Sequence, residues 1–305
     1  MLPIPTPFDK DSAVDKSALR LNIEKWIQTG IYGFVMLGST GERVHLEDRE
    51  CLEVIEAARG AVPEEMAFIA GAGQQSMRAT IGEVRRVAEA GADAVLLITP
   101  HFYRGAMTQS ALYSYYMAVA DGAPVPVLLY SMPELTGIAL APETVARLSE
   151  HENIIGLKDS SGDIINFAET VRLVPKDFAV LTGSGPLLYA ALAAGATGAI
   201  LAVGCVAPGL AVDIYRATKA GEHERARGLQ QKLTPLALAV TKRYGIGGLK
   251  AALDLIGYNG GYVRAPLQDA SEEARREIAR LLEESLSRDE AAESDEQYRL
   301  AGATE

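Results

Sequence analysis

The chain is poor in the residues that mark secreted, metal-binding and nucleic-acid-binding proteins. Its two cysteines, Cys51 and Cys205, cannot build a disulfide framework. One lies in a helical pattern and the other just after a strand pattern, so both read as reduced core residues of a cytoplasmic protein. The four histidines, His45, His101, His151 and His223, stand apart with no H-x-x-x-H or H-x-H spacing. A sequence-local zinc site is therefore not expected. Lys and Arg number 29 against 40 Asp and Glu, a formal net charge of −11, which argues against a nucleic-acid or anionic-membrane surface. No apolar run approaches the ~20 residues a membrane-spanning helix needs. Met1-Leu2-Pro3-Ile4-Pro5 lacks the basic and apolar regions of a signal peptide. No Gly/Ser-rich or Pro-rich linker divides the chain.

What is present is core. Hydrophobic residues make up 48% of 305 positions, enough to bury a large interior. Short apolar runs alternate with amphipathic helical patterns. The runs are Phe34–Leu37, Phe68–Ala70, Ala94–Ile98, Val127–Tyr130, Ile154–Lys158, Ala179–Thr182 and Gly198–Ala202, with an eighth near Leu2–Pro5. Their ends, at residues 37, 70, 98, 130, 158, 182 and 202, fit one strand–helix unit each. Met77, Ile81, Val84 and Ala88 share one face of an intervening helix. Pro142 stands near the start of another, where a missing N–H costs little. Gly30, Gly91 and Gly195 sit where left-handed caps would end helices. Eight alternating units predict an α/β fold of the (β/α)₈ (TIM) barrel type, although periodicity by itself leaves a doubly wound sheet open. The expected division is a barrel over residues 1–221, a C-terminal helical extension over 222–286 and an acidic tail over 287–305. Within it, Val206–Ala220 forms the last barrel helix, and Glu222–Arg243, Leu249–Ile256 and Ser271–Leu286 the added layer.

In such a barrel, chemistry belongs at the C-terminal ends of the strands. Three features fall there. Ile154–Leu157 delivers Lys158 to the rim of a hydrophobic sheet. Burial disfavours an ammonium and pushes a lysine towards the neutral amine that serves as a nucleophile. The alternative is a strand-ending lysine that snorkels to solvent. Tyr130 ends the neighbouring strand, where a phenol beside a carbinolamine-forming amine can shuttle protons; it can equally be a core tyrosine. Gly38-Ser39-Thr40-Gly41-Glu42 brings backbone N–H groups and two hydroxyls towards one point, which suits a small carboxylate, or else forms a turn and helix cap.

Together, Gly38–Glu42, Tyr130-Ser131-Met132-Pro133 with Thr136-Gly137, and Gly156-Leu157-Lys158-Asp159 resemble the dihydrodipicolinate synthase/N-acetylneuraminate lyase family. Thr6-Pro7-Phe8 and Thr99-Pro100 also match, and the likeness covers roughly residues 4–268. It implies a (β/α)₈ barrel, usually tetrameric, whose lysine forms a Schiff base with pyruvate or another 2-oxo acid and which needs no further cofactor. Position by position it implies Lys158 as the nucleophile and Tyr130 as the proton-transfer residue. Thr40 with Ser39 becomes the hydroxyl partner and carboxylate binder, and the backbones of Gly183 and Ile200 line the same pocket.

Within the family the motifs point two ways. Dihydrodipicolinate synthases carry an arginine where Leu135 stands, beside Glu134, and insert a neighbour's tyrosine at the place of Phe102, with Tyr103 next to it. Leucine offers no bidentate contact to a carboxylate, and phenylalanine passes no proton. Tyr130–Pro133, Lys158–Asp163, Gly183-Ser184 and Arg243–Lys250 resemble the 4-hydroxy-2-oxoglutarate aldolase branch, which has an asparagine where Thr40 stands. The expected activity is therefore pyruvate-forming cleavage of a short 4-hydroxy-2-oxo acid. The synthase reaction with aspartate semialdehyde is the alternative, and an inactive 2-oxo-acid-binding barrel the second. Ser160, Ser161, Ser184 and Arg104 are the polar candidates for the far end of the substrate.

Overall fold

Successive side chains along a strand point to opposite faces of the sheet, and in this molecule both faces are buried. The computed structural model describes residues 1–287. Leu2–Pro3 (β1), Gly33–Met36 (β2), Ala67–Ala72 (β3), Ala94–Ile98 (β4), Val127–Ser131 (β5), Ile154–Asp159 (β6), Ala179–Thr182 (β7) and Gly198–Ala199 (β8) form one parallel sheet in sequential order. The Met1 amino group donates to the Ala199 carbonyl (2.9 Å) and the Leu201 N–H to the Met1 carbonyl (3.2 Å), which joins the last strand to the first. The order shows no switch point, so the fold is a TIM-type α/β barrel and not a doubly wound sheet.

Helices occupy the outside: Lys16–Ile27 (α1), Asp48–Arg59 (α2), Met77–Glu89 (α3), Gln109–Gly122 (α4), Pro142–Leu148 (α5), Ile164–Leu173 (α6), Leu188–Ala193 (α7) and Pro208–Lys219 (α8). Side-chain parity divides the core into two shells. Val35, Leu96, Leu128, Tyr130, Leu181 and Ile200 pack inside the barrel. Phe34, Leu97, Leu129, Leu157 and Val180 pack between strands and helices. Each fully buried Leu or Phe contributes about 1.5–3 kcal/mol of transfer free energy, so a one-residue slip of any strand would exchange the shells.

That parity is corrected once. Val127 pairs with Ile154 but Leu128 pairs with Gly156, leaving Ile155 as an extra residue at the start of β6. The bulge lets Ile154 and Leu157 both face the helices while Lys158 comes opposite Tyr130. Bulges re-aim side chains in this way, and the apolar run Ile154–Leu157 carried no sign of it. The last strand is shorter than expected: beyond Ala199 the chain closes on Met1 and turns into a single helical turn, Ala202–Cys205. β1 likewise stops at Pro3, since Pro5 has no N–H for a ladder.

Beyond α8 lie His223–Leu238 (α9), Gly245–Leu255 (α10) and Glu272–Leu286 (α11), with a π-helical stretch Ala239–Arg243 after α9. α9 packs on α8, and α11 on both α9 and α10. The loop after α10 returns to α1, where Tyr258 stacks on Trp26 at 5.0 Å and Asn22 exchanges hydrogen bonds with the Asn259 backbone at 2.8 Å. The tail expected over 287–305 lies outside the described residues, Ser287 excepted. No described helix is long and apolar enough to cross a membrane.

Candidate active site

The β5–β6 register sets Tyr130 directly against Lys158 at the C-terminal mouth. Both side chains belong to buried residues, each 5% exposed. The Lys158 amine lies 4.5 Å from the centroid of the Tyr130 ring, and it forms no salt bridge with any described residue. The wall around it is the inner apolar shell, including Leu128, Leu181 and Ile200.

The ladder continues past the strand ends and fixes the rim. Ser160 donates its N–H to the Ser131 carbonyl (2.9 Å), Gly183 to Asp159 (2.7 Å) and Ile200 to Thr182 (2.9 Å). These bonds seat Ser160 and Gly183 beside Lys158. A Cβ on Gly183 would sit 1.9 Å from Ser160 Oγ and 2.9 Å from Lys158 Cε, so only glycine lets the backbone come this close to the lysine. Ile200 is fully buried and its side chain belongs to the inner shell.

Across the mouth, Ser39–Gly41 forms a single 3₁₀ turn after β2. Ser39 Oγ lies 3.4 Å from the Tyr130 hydroxyl. The contact to the phenol thus comes from Ser39. Thr40 is 8% exposed, and its hydroxyl is not bonded to Tyr130. Leu37 and Glu42, at the two ends of this segment, both have φ of 54°, a left-handed conformation that is uncommon for residues with a side chain.

Lys158, Tyr130, Ser39, Gly183 and Ser160 therefore converge, with Ile200 in the wall. Other candidates stand apart. Phe102 and Tyr103 are 73% and 72% exposed, packed edge to face on one another. Leu135 is 55% exposed, and Glu134 is turned to Lys242 at 3.2 Å. Arg104 lies against Gly137, its Nη1 3.2 Å from where a Cβ would be, which holds a guanidinium over the turn that Leu135 leaves without one. Ser161 and Ser184 line a small cavity on the outer side of β6 and β7 with Asp159 and Thr182. Asp159 accepts the Ser161 N–H at 2.6 Å. Burial pushes its carboxyl above the ordinary value, against the lowering effect of the Ser161 bonds.

Two features of the site escaped sequence reasoning. One is the inner wall of Val35, Leu128 and Leu181, which an i, i+2 reading of each strand would have found. The other is the pairing of Glu42 with Lys250 at 2.5 Å, which joins positions too distant for any spacing rule. Among the described residues no three metal-ligating side chains gather.

The model of the Dihydrodipicolinate synthetase family matches residues 1–285. The chain belongs to that family. Its members are pyruvate-dependent class I aldolases and lyases, and the chain is an enzyme of that class. A 4-hydroxy-tetrahydrodipicolinate synthase of Methanothrix thermoacetophila is 36% identical over 278 residues, 91% of this chain and 93% of the relative. A dihydrodipicolinate synthase from Bacillus anthracis superposes with a TM-score of 0.90 at 30% identity, covering 94% and 97% of the two chains. YagE, a prophage protein of the same family from E. coli K12 solved in complex with pyruvate, gives 0.86 at 29% identity, covering 93% and 97%. The curated relative is a synthase, so the likeness to 4-hydroxy-2-oxoglutarate aldolases rests on the short motifs alone.

Proposed function

We propose that Lys158 condenses with the ketone of pyruvate and that the resulting enamine makes or breaks a carbon–carbon bond to an aldehyde. The observation that carries this reading is the buried amine set against Tyr130 with no carboxylate beside it. The amine adds to C2 of pyruvate, the carbonyl oxygen takes a proton, and the carbinolamine loses water to leave a protonated imine. Tyr130, with Ser39 3.4 Å from its hydroxyl, is suited to give and retrieve those protons. Loss of a C3 proton yields the enamine, and its attack on an aldehyde carbon forms the new bond. In reverse, a 4-hydroxy-2-oxo acid bound as its imine sends the C3–C4 bonding pair into the iminium. It then releases the aldehyde as the 4-hydroxyl loses its proton. The Ser39-Thr40 turn holds the pyruvyl carboxylate.

The name carried by the relatives supports aspartate semialdehyde as the aldehyde, and this is the first reading: the 4-hydroxy-tetrahydrodipicolinate synthase reaction. Leu135 and Phe102 favour a second, cleavage of a 4-hydroxy-2-oxo acid such as 4-hydroxy-2-oxoglutarate to pyruvate and an aldehyde. The test is a pair of assays on one preparation: consumption of pyruvate with aspartate semialdehyde, and release of pyruvate from 4-hydroxy-2-oxoglutarate. A kcat/KM at least 100-fold greater for the condensation supports the synthase; the opposite ratio overturns it in favour of cleavage. The same reading includes a homotetramer acting in the cytoplasm on a small 2-oxo acid, without metal or added cofactor; light scattering on the full chain checks the assembly.

A further inference from the structure

The segment that carries Ser39 and Thr40 begins and ends in the left-handed region, at Leu37 and Glu42. Backbone of this kind is strained and persists only where the surroundings over-determine it. What holds it comes from the far end of the chain. Glu42 is 2% exposed and Lys250, from α10, 1% exposed; their charged groups meet at 2.5 Å. The other Glu42 oxygen accepts the Arg264 backbone N–H at 2.9 Å and faces His45 Nδ1 at 3.4 Å. Lys250 donates to the Tyr262 carbonyl at 2.6 Å and stands over the Phe8 ring at 4.5 Å. Gly260 closes the clamp from behind, since a Cβ there would lie 2.0 Å from the Lys250 carbonyl oxygen. A buried ion pair contributes little to net stability, because desolvation offsets the attraction. The directional bonds that its two members make to the Arg264 N–H and the Tyr262 carbonyl fix geometry instead.

We propose that the Glu42–Lys250 pair is a positioning device for the carboxylate-binding turn, by which the C-terminal helices set the affinity of the site for 2-oxo acids. Glu42 and Lys250 act through Ser39 and Thr40, Glu42 donating its backbone N–H to the Ser39 carbonyl at 3.2 Å. The inference rests on the pyruvyl-imine reading above. It distinguishes the extension from a mere cover: a cover would support folding alone, whereas a clamp sets where two hydroxyls point.

The experiment traps the imine with borohydride and reads it by intact mass, on the wild type, Glu42→Gln, and the double variant Glu42→Gln/Lys250→Met. The double variant removes both charges at near-constant volume, an exchange that buried pairs commonly tolerate, so it keeps the test open should the single variant fold poorly. Each protein is titrated with pyruvate and, separately, with hydroxyacetone, a ketone of similar size without the carboxylate. In both variants half-saturation by pyruvate is expected to rise about tenfold or more, while hydroxyacetone trapping per folded molecule stays within about twofold of wild type. A lowered melting temperature with unchanged half-saturation by pyruvate overturns the proposal, leaving the pair a purely structural one. Equal losses with the two ketones also overturn it, because the turn would then not be acting on the carboxylate. If the wild type traps no pyruvate, the imine reading fails, and the positioning role falls with it.

Discussion

Two lysines among the described residues are buried, and they differ in their polar neighbours. Lys158 and Lys250 are 5% and 1% exposed, and each amine stands 4.5 Å from an aromatic centroid, Tyr130 and Phe8 respectively. Lys250 has Glu42 at 2.5 Å and a backbone carbonyl at 2.6 Å. Lys158 has neither. Burial lowers Lys250 below the ordinary lysine value, while Glu42 pulls it back up. A paired ammonium is a fixed strut; an amine without an ion-pair partner in an apolar wall is the one to which the proposed function gives the addition to a ketone. Local chemistry, and not burial alone, separates the lysine proposed as nucleophile from the one that is paired.

Three substitutions test this contrast between the lysines, in falling order of effect. Tyr130→Phe removes the hydroxyl beside the unpaired amine and leaves the ring beneath it. The expected loss in kcat is about 10²- to 10⁴-fold, the range for a positioned proton donor, with folding unchanged; steady-state kinetics and a melting curve check both halves. Lys250→Met attacks the other lysine and strands the Glu42 carboxylate in the interior. Breaking a buried pair from one side costs about 3–5 kcal/mol, measurable by urea unfolding, and adding Glu42→Gln is expected to restore most of it. The smallest effect lies at Asp159, next to Lys158 but on the outer face. Its carboxyl titrates above 3.8 because of burial, so the folded state holds that proton more tightly than the unfolded chain does. The stability it gives is complete below 3.8 and lost as pH rises through the folded value. Asp159→Asn is therefore expected to raise the melting temperature at pH 7 and to leave it unchanged at pH 3.

Most of the architecture was legible because it depends on local pattern. Apolar runs such as Ala94–Ile98 and Ala179–Thr182 are bounded as expected, and the left-handed glycines at 30, 91 and 195 stand where helices end. The misjudged ends have different causes: β8 is cut short by closure on Met1, a long-range event, and β1 by Pro5, a local one. The rim residues were found because a charge or phenol at the end of an apolar run is anomalous in itself. What sequence could not show are contacts that no periodicity encodes. The bulge at Ile155 depends on how β5 and β6 pair, and Glu42 meets Lys250 only after the whole barrel has closed.

The most direct measurement is the mass of the intact protein after incubation with pyruvate and borohydride, with the adduct mapped by peptide digestion. A single reduced pyruvyl adduct on Lys158, absent from Lys158→Ala and never on Lys250, is expected. An unmodified Lys158, or label spread over surface lysines, would contradict the assignment of the unpaired amine as the nucleophile.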